Sequence, residues 1–98
     1  MTRVYEQGTR ARRDGVVAIA APRPEGGDAR AALAVPTRVG NAPTRNRIRR
    51  RLRAVLRDWD LPSGFDVVLQ ADASVAAADY QQLVIDVKEA VTRAVAGK

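Results

Sequence analysis

Val39-Gly40-Asn41-Ala42-Pro43-Thr44-Arg45-Asn46-Arg47-Ile48-Arg49-Arg50-Arg51-Leu52-Arg53 is the stretch on which the reading of this 98-residue chain turns. Asn41 or Ala42 stands where a helix N-cap is needed, and Pro43 falls in the first turn, where its missing N–H does no harm. Beyond it Ile48, Leu52, Val55 and Trp59 recur at spacings of four, three and four, a narrow apolar stripe on a helix reaching about Trp59. Asn46, Arg50, Arg53 and Arg57 then project from the opposite side.

From Thr37 to Arg57 there are eight arginines and no acidic residue. The formal charge of the whole chain is +6, so everything outside this block sums to −2, nine basic residues against eleven acidic. A concentrated cationic cluster on an otherwise slightly acidic chain points to a polyanionic partner, nucleic acid first. Fifteen of the seventeen basic residues are arginine. Its planar fork suits phosphate better than the point charge of lysine, although the alanine-rich, GC-rich style of the composition accounts for part of the bias.

A merely solvated helix face would mix signs. Here Arg45/Arg49, Arg47/Arg51, Arg49/Arg53 and Arg53/Arg57 are like-charged i, i+4 pairs, each unfavourable by roughly 0.2–0.5 kcal/mol, about 1–2 kcal/mol together. Arg45 and Arg47 also lie in or near the first turn, where the helix dipole disfavours cations. Both features become favourable once phosphates dock there, and such local inconsistency is the mark of a functional site. Flanked by Arg45 and Arg47, Asn46 is placed to hydrogen-bond a sugar hydroxyl, a base edge or a phosphate. Gly40 serves a φ > 0 turn, a close backbone approach or a direct contact. Arg10, Arg12 and Arg13 either extend the basic surface or belong to a solvated loop.

The length allows one domain, residues 1–98, with one modest core. With neither cysteine nor histidine, thiolate metal sites, disulfides and Ser/His or Cys/His nucleophiles are excluded, and a reducing cytoplasm is the expected location. No apolar signal segment follows Met1, and no apolar run approaches the roughly 20 residues of a membrane span. Asp58, Asp60, Asp66 and Asp72 read as turn, cap and solvated positions. Accordingly no catalytic residue, protein-held metal, membrane or small-molecule substrate is expected.

Coarse patterning supplies the other elements. Residues 2–7 suggest a short helix ending at Gly8, with Val4 and Tyr5 inward. Arg10 to Asp14 leaves a short strand open. Val16–Ala21 and Ala31–Val35 read as strands joined through the turn cluster Pro22–Asp28, which predicts an antiparallel hairpin. Phe65–Ala71 has the apolar run of an interior strand. Asp79 and Gln82 have capping-box spacing ahead of a final helix running through Leu83, Val87, Val91 and Val95 to Gly97. A hairpin followed by helix, strand and helix is an α+β layer pattern.

The stretch from Thr37 to Arg53 resembles the signature of the bacterial ribonuclease P protein subunit, a Lys-Lys/Arg-Val-Gly-Asn-Ala-Val element leading into Arg-Asn-Arg-Ile/Val-Lys-Arg-x-Leu/Ile-Arg. Arg38, Val39, Gly40, Asn41, Ala42, Arg45, Asn46, Arg47, Ile48, Arg50, Leu52 and Arg53 coincide with it without a gap, and Arg49 replaces a lysine with charge retained. Val4-Tyr5-x-x-Gly8, Gly64-Phe65-Asp66-Val67-Val68 and Asp79 to Val95 extend the similarity over nearly the whole chain. Thr37 stands where lysine is common and Pro43 where valine is common, and Met1 falls several residues later than the family's usual start.

This resemblance implies a small two-layer α/β sandwich, ribosomal-protein-like, in αβββαβα order with an uncommon left-handed βαβ crossover. It implies that a catalytic RNA performs the cleavage with Mg2+ held mainly by RNA, and that ribonuclease P RNA and precursor tRNA are the partners. Arg38, Gly40, Asn41, Arg45, Asn46, Arg47, Arg49, Arg50, Arg53 and Arg57 would contact the catalytic RNA. Tyr5 and Ile19 would line a central cleft for the 5′ leader, with only Tyr5 offering a ring for stacking. Tyr5 reads equally as a core-edge aromatic, and Trp59 and Phe65 read as core. The alternative is another RNA- or DNA-binding module, ribosomal-protein-like, with no role in cleavage.

Overall fold

The computed structural model describes residues 2–97, with side chains from Val4 onward, so the chain start at Met1 lies outside the described residues. A short helix α1 (Thr2–Gln7) leads into strands β1 (Thr9–Arg13) and β2 (Val16–Pro22), followed by β3 (Arg30–Ala34), helix α2 (Ala42–Arg57), β4 (Phe65–Ala71) and helix α3 (Tyr80–Ala96). This is the αβββαβα order of an α+β fold.

The predicted hairpin of Val16–Ala21 with Ala31–Val35 does not form. β2 pairs with β1 instead, around the two-residue Asp14-Gly15 turn in which Asp14 has φ 50. Asp-Gly in a two-residue loop matches the twist of a hairpin, so this closure is more local than one through the Pro22–Asp28 cluster. β4 lies between β2 and β3, giving the order β1-β2-β4-β3, antiparallel to β2 and parallel to β3. Its run Val67-Val68-Leu69 is apolar on both faces, and an interior position buries both.

Strand pleating divides the core. Ala18, Ala20, Val67 and Leu69 face α2 and α3, meeting Ile48, Leu52, Val55, Leu83, Val87 and Val91. Val17, Ile19, Ala21 and Val68 face the other way, where Val4 of α1 covers part of them. Val4 takes the inward face of so short a helix, so Tyr5, expected inward, is 48% exposed. Gly8 permits this docking: its N–H donates to the Val4 carbonyl at 2.8 Å, and an added Cβ would fall 2.7 Å from Ile19 Cγ2.

Asp66, expected at a turn or in solvent, is buried. It accepts from Arg30 Nε and Nη2 at 2.8 and 3.0 Å, and Arg23 Nε lies 3.7 Å away. Its hydrogen bond and charge hold the Arg30 guanidinium above its ordinary pKa. Arg30 and Asp66 are register partners, so the pair fastens the start of the parallel β3–β4 ladder. A buried carboxylate needs such partners.

Leu52 is fully buried on α2 while Arg53 beside it is exposed. Leu52→Ala is therefore expected to lower unfolding free energy by about 2–5 kcal/mol in a urea titration, and Arg53→Ala to stay within about 0.5 kcal/mol of the parent.

Candidate nucleic-acid interface

The segment entering α2 is a single 3-10 turn, Thr37–Val39, then Gly40 and the cap residue Asn41. Gly40 has φ 163, ordinary extended backbone, and an added Cβ would lie 3.1 Å from Thr44 Cγ2. The backbone here makes a close approach to Thr44 and no left-handed turn. Asn41 is the cap: its Oδ1 accepts from the Thr44 N–H at 2.9 Å. Pro43 occupies the first turn as expected.

Among the described residues, no carboxylate comes within 4.0 Å of any of the eight arginines of the 37–57 block. The acidic partners go to Arg13, Arg23 and Arg30. Asn46, Arg50, Arg53 and Arg57 lie exposed along the outer side of α2. Pro43, Asn46, Arg49, Arg50 and Arg53 border a shallow depression there. Asn46 Oδ1 accepts from Arg49 Nη1 at 3.2 Å, and Arg49 Nη2 also donates to the Val35 carbonyl at 3.4 Å. Asn46 thereby helps to orient a guanidinium on an exposed face.

Arg47 and Arg51 turn the other way. Arg47 Nε donates to the Ala76 carbonyl at 2.7 Å, and Arg51 donates to the Ala78 carbonyl with its guanidinium 5.9 Å from the Tyr80 ring centroid. The last residue of the 3-10 turn Ala73–Ala76 and the backbone just after it therefore offer acceptors that offset the repulsion of this one like-charged pair.

On the face of the sheet that α1 only partly covers lies a cleft of about 550 Å³. Val17, Ala34 and Gln70 line its floor, and Tyr5, Arg12, Arg38 and Arg49 stand around it. Tyr5 is thus placed at the cleft, but Ile19 is not: it is 1% exposed beneath α1, packed with Val4 and Val68. Val17, two positions earlier on the same pleat face, lines the cleft in its stead.

Strand alternation also resolves the three early arginines. Arg10 and Arg12 share the cleft face, with Arg10 Nη1 donating to Gln70 Oε1 at 3.2 Å. Arg13 points to the opposite face, where it meets Asp86 at 3.3 Å and Glu89 at 2.6 Å. Val17 and Gln70 are among the cleft residues that patterning alone did not single out, and Arg12 was left open between a basic surface and a solvated loop. The period-two alternation around Ala11 was the signal available for Arg12. Trp59 and Phe65 pack against the main core, and Lys88 lies 5.8 Å from the Trp59 ring centroid.

The family whose sequence model matches this chain is Ribonuclease P, over residues 1–95. The chain is 41% identical over 68 residues to the ribonuclease P protein component of Salinispora tropica, a match covering 67% of this chain and 50% of that protein. With the component of Streptomyces avermitilis it shares 37% over 87 residues, covering 87% and 71%. The chain thus spans between a half and about seven tenths of the length of these relatives.

Among solved structures, the RNase P protein from Thermotoga maritima aligns with TM-score 0.83 at 18% identity over 94% of this chain and 88% of that one. The Staphylococcus aureus RNase P protein aligns with TM-score 0.82 at 19% identity over 99% and 90%. At such identities the likeness is one of fold.

The cap geometry separates stability from charge. Asn41→Ala should lower unfolding free energy by about 0.5–2 kcal/mol, read from urea midpoints. Asn41→Asp should keep the cap and the stability yet weaken RNA binding in a filter-retention assay, because it adds a negative charge beside the ridge.

Proposed function

This chain belongs to the ribonuclease P protein family, and from that premise we propose that it is the protein component of a bacterial ribonuclease P, which removes the 5′ leader of precursor tRNA. The catalytic RNA breaks the phosphodiester bond. The protein acts as one RNA-binding domain over residues 1–98 and contributes no catalytic residue. The observation that carries this reading is the pairing of two cationic surfaces on one small fold: an outer α2 face without acidic partners among the described residues, and an arginine-walled cleft beside it.

Two surfaces suit two RNAs. The outer face of α2, with Asn46, Arg50, Arg53 and Arg57, docks the catalytic RNA through phosphate contacts that release condensed counterions. The cleft takes an extended leader, with Tyr5 as a stacking ring and Arg12, Arg38 and Arg49 on its phosphates. Arg49 stands at the boundary of both surfaces. Gly40, Asn41, Arg45 and Arg47 add to the contact with the catalytic RNA at the helix start, where Asn41 also caps α2 and Arg47 also donates to the Ala76 carbonyl. Held between two polyanions, the guanidiniums reduce the repulsion that opposes their association.

Mg2+ belongs to this proposal as an ion held mainly by RNA. Among the described residues no group of three acidic side chains that could hold a metal ion is found. Action in the cytoplasm is part of the same reading. No helix among the described residues is long and apolar enough to cross a membrane.

Purified protein alone should leave precursor tRNA intact, and addition of the cognate catalytic RNA at low Mg2+ should give cleavage at the mature 5′ end. Cleavage by RNA-free protein would overturn the division of labour. Arg50→Ala and Arg53→Ala should each weaken binding to the catalytic RNA and reduce the slope of log K against log salt by about one counterion. Arg51→Ala should leave that slope unchanged and lower thermal stability instead, since its guanidinium is committed to Ala78 and Tyr80.

A further inference from the structure

Four aromatic residues occur in the chain, and three have a place: Trp59 and Phe65 pack against the main core and Tyr5 stands at the cleft. The fourth, Tyr80, is the first residue of α3 and is 39% exposed. The cap of α3 does not account for it, since Asp79 Oδ2 accepts from the Gln82 N–H at 3.0 Å. Tyr80 belongs to the helix layer and not to the cleft face, and it stands beside the flank of α2 that carries Arg47 and Arg51.

The ring is held in place. Arg51 lays its guanidinium over it, 5.9 Å from the centroid, and is itself tied to the Ala78 carbonyl; one turn earlier Arg47 is tied to the Ala76 carbonyl. An aromatic face fixed in this way binds with little further loss of side-chain freedom. Ala76, Ala77 and Ala78 precede it with nothing larger than methyl groups, which leaves the approach low. Asp79 beside it is exposed and negatively charged, so the spot suits the flat face of a base better than a phosphate. Phosphates are served a short way along α2, where Arg50 and Arg53 lie exposed.

We infer that Tyr80, backed by Arg51, stacks on an unpaired nucleobase of the catalytic RNA at the flank of the arginine ridge. This rests on the ridge docking that RNA. Folded RNA presents unstacked bases in loops and bulges, and an aromatic ring takes any of them because every base has a π-face. Stacking releases no condensed counterion, so this contact differs from those of Arg50 and Arg53 in its indifference to salt.

The test titrates the whole protein with the catalytic RNA over a range of salt concentrations. Tyr80→Leu keeps an apolar side chain and removes the ring; it should bind about five- to thirtyfold more weakly with the slope of log K against log salt unchanged. Arg50→Ala, run beside it, should lose about one counterion from that slope. Tyr80→Trp should bind within about twofold of the parent, and the indole it introduces should be quenched as RNA is added. Trp59, packed against the core in both proteins, supplies the fluorescence reference. That quench reads the contact directly, and it decides the matter even should Tyr80→Leu fail to fold. If Arg50→Ala weakens binding while Tyr80→Leu binds as the parent does, or while the new indole is not quenched, the stacking role is overturned and the ridge reading stands. If neither substitution weakens binding, both fall.

Discussion

The position of β4 governs the rest of the molecule. Apolar on both faces, it is accommodated between β2 and β3, and a strand inserted there parallel to β3 can be reached only by a crossover. α2 is that crossover. Its start must therefore lie beyond the end of β3, within reach of the Val35 carbonyl, which accepts from Arg49. The same insertion places Gln70 in the middle of the uncovered sheet face. Cleft and arginine ridge are neighbours because one strand is buried twice.

Charge is sorted by local geometry more than by number. On α2 the helical period sends Arg50, Arg53 and Arg57 outward and lays Arg47 and Arg51 against the carbonyls of Ala76 and Ala78. On β1 the period of two sends Arg10 and Arg12 to the cleft and Arg13 to the carboxylates of α3. Arginines thus serve either as ties within the fold or as an uncompensated field at its surface. The ties lessen the repulsion that the field creates, most visibly for the Arg47/Arg51 pair.

Much of this was legible from residue spacing. The Ile48, Leu52 and Val55 stripe, the cap at Asn41, the interior character of Phe65–Ala71 and the cap at Asp79 all rest on local rules, and local rules act within a few residues. The pairing of β2 was not legible in the same way. Strand partners are chosen by tertiary burial, and the Asp14-Gly15 turn offered a closer partner than the Pro22–Asp28 cluster. Asp66 was misread for a related reason: its partners Arg23 and Arg30 are far away in sequence. Ile19 shares a pleat face with Val17, and only the placement of α1 decides which is covered.

The tip of the β1–β2 hairpin rests on the turn that follows β4. The Gly15 carbonyl accepts from the Asp72 N–H at 3.0 Å, and a Cβ on Gly15 would be 2.7 Å from Asp72 Oδ1. Arg47 of α2 is fastened to the far end of that same turn. Opposite walls of the groove are consequently braced through one short piece of backbone and keep their separation. A groove whose sides are tied in this way loses less conformational freedom when a ligand enters it, which is what preorganisation means.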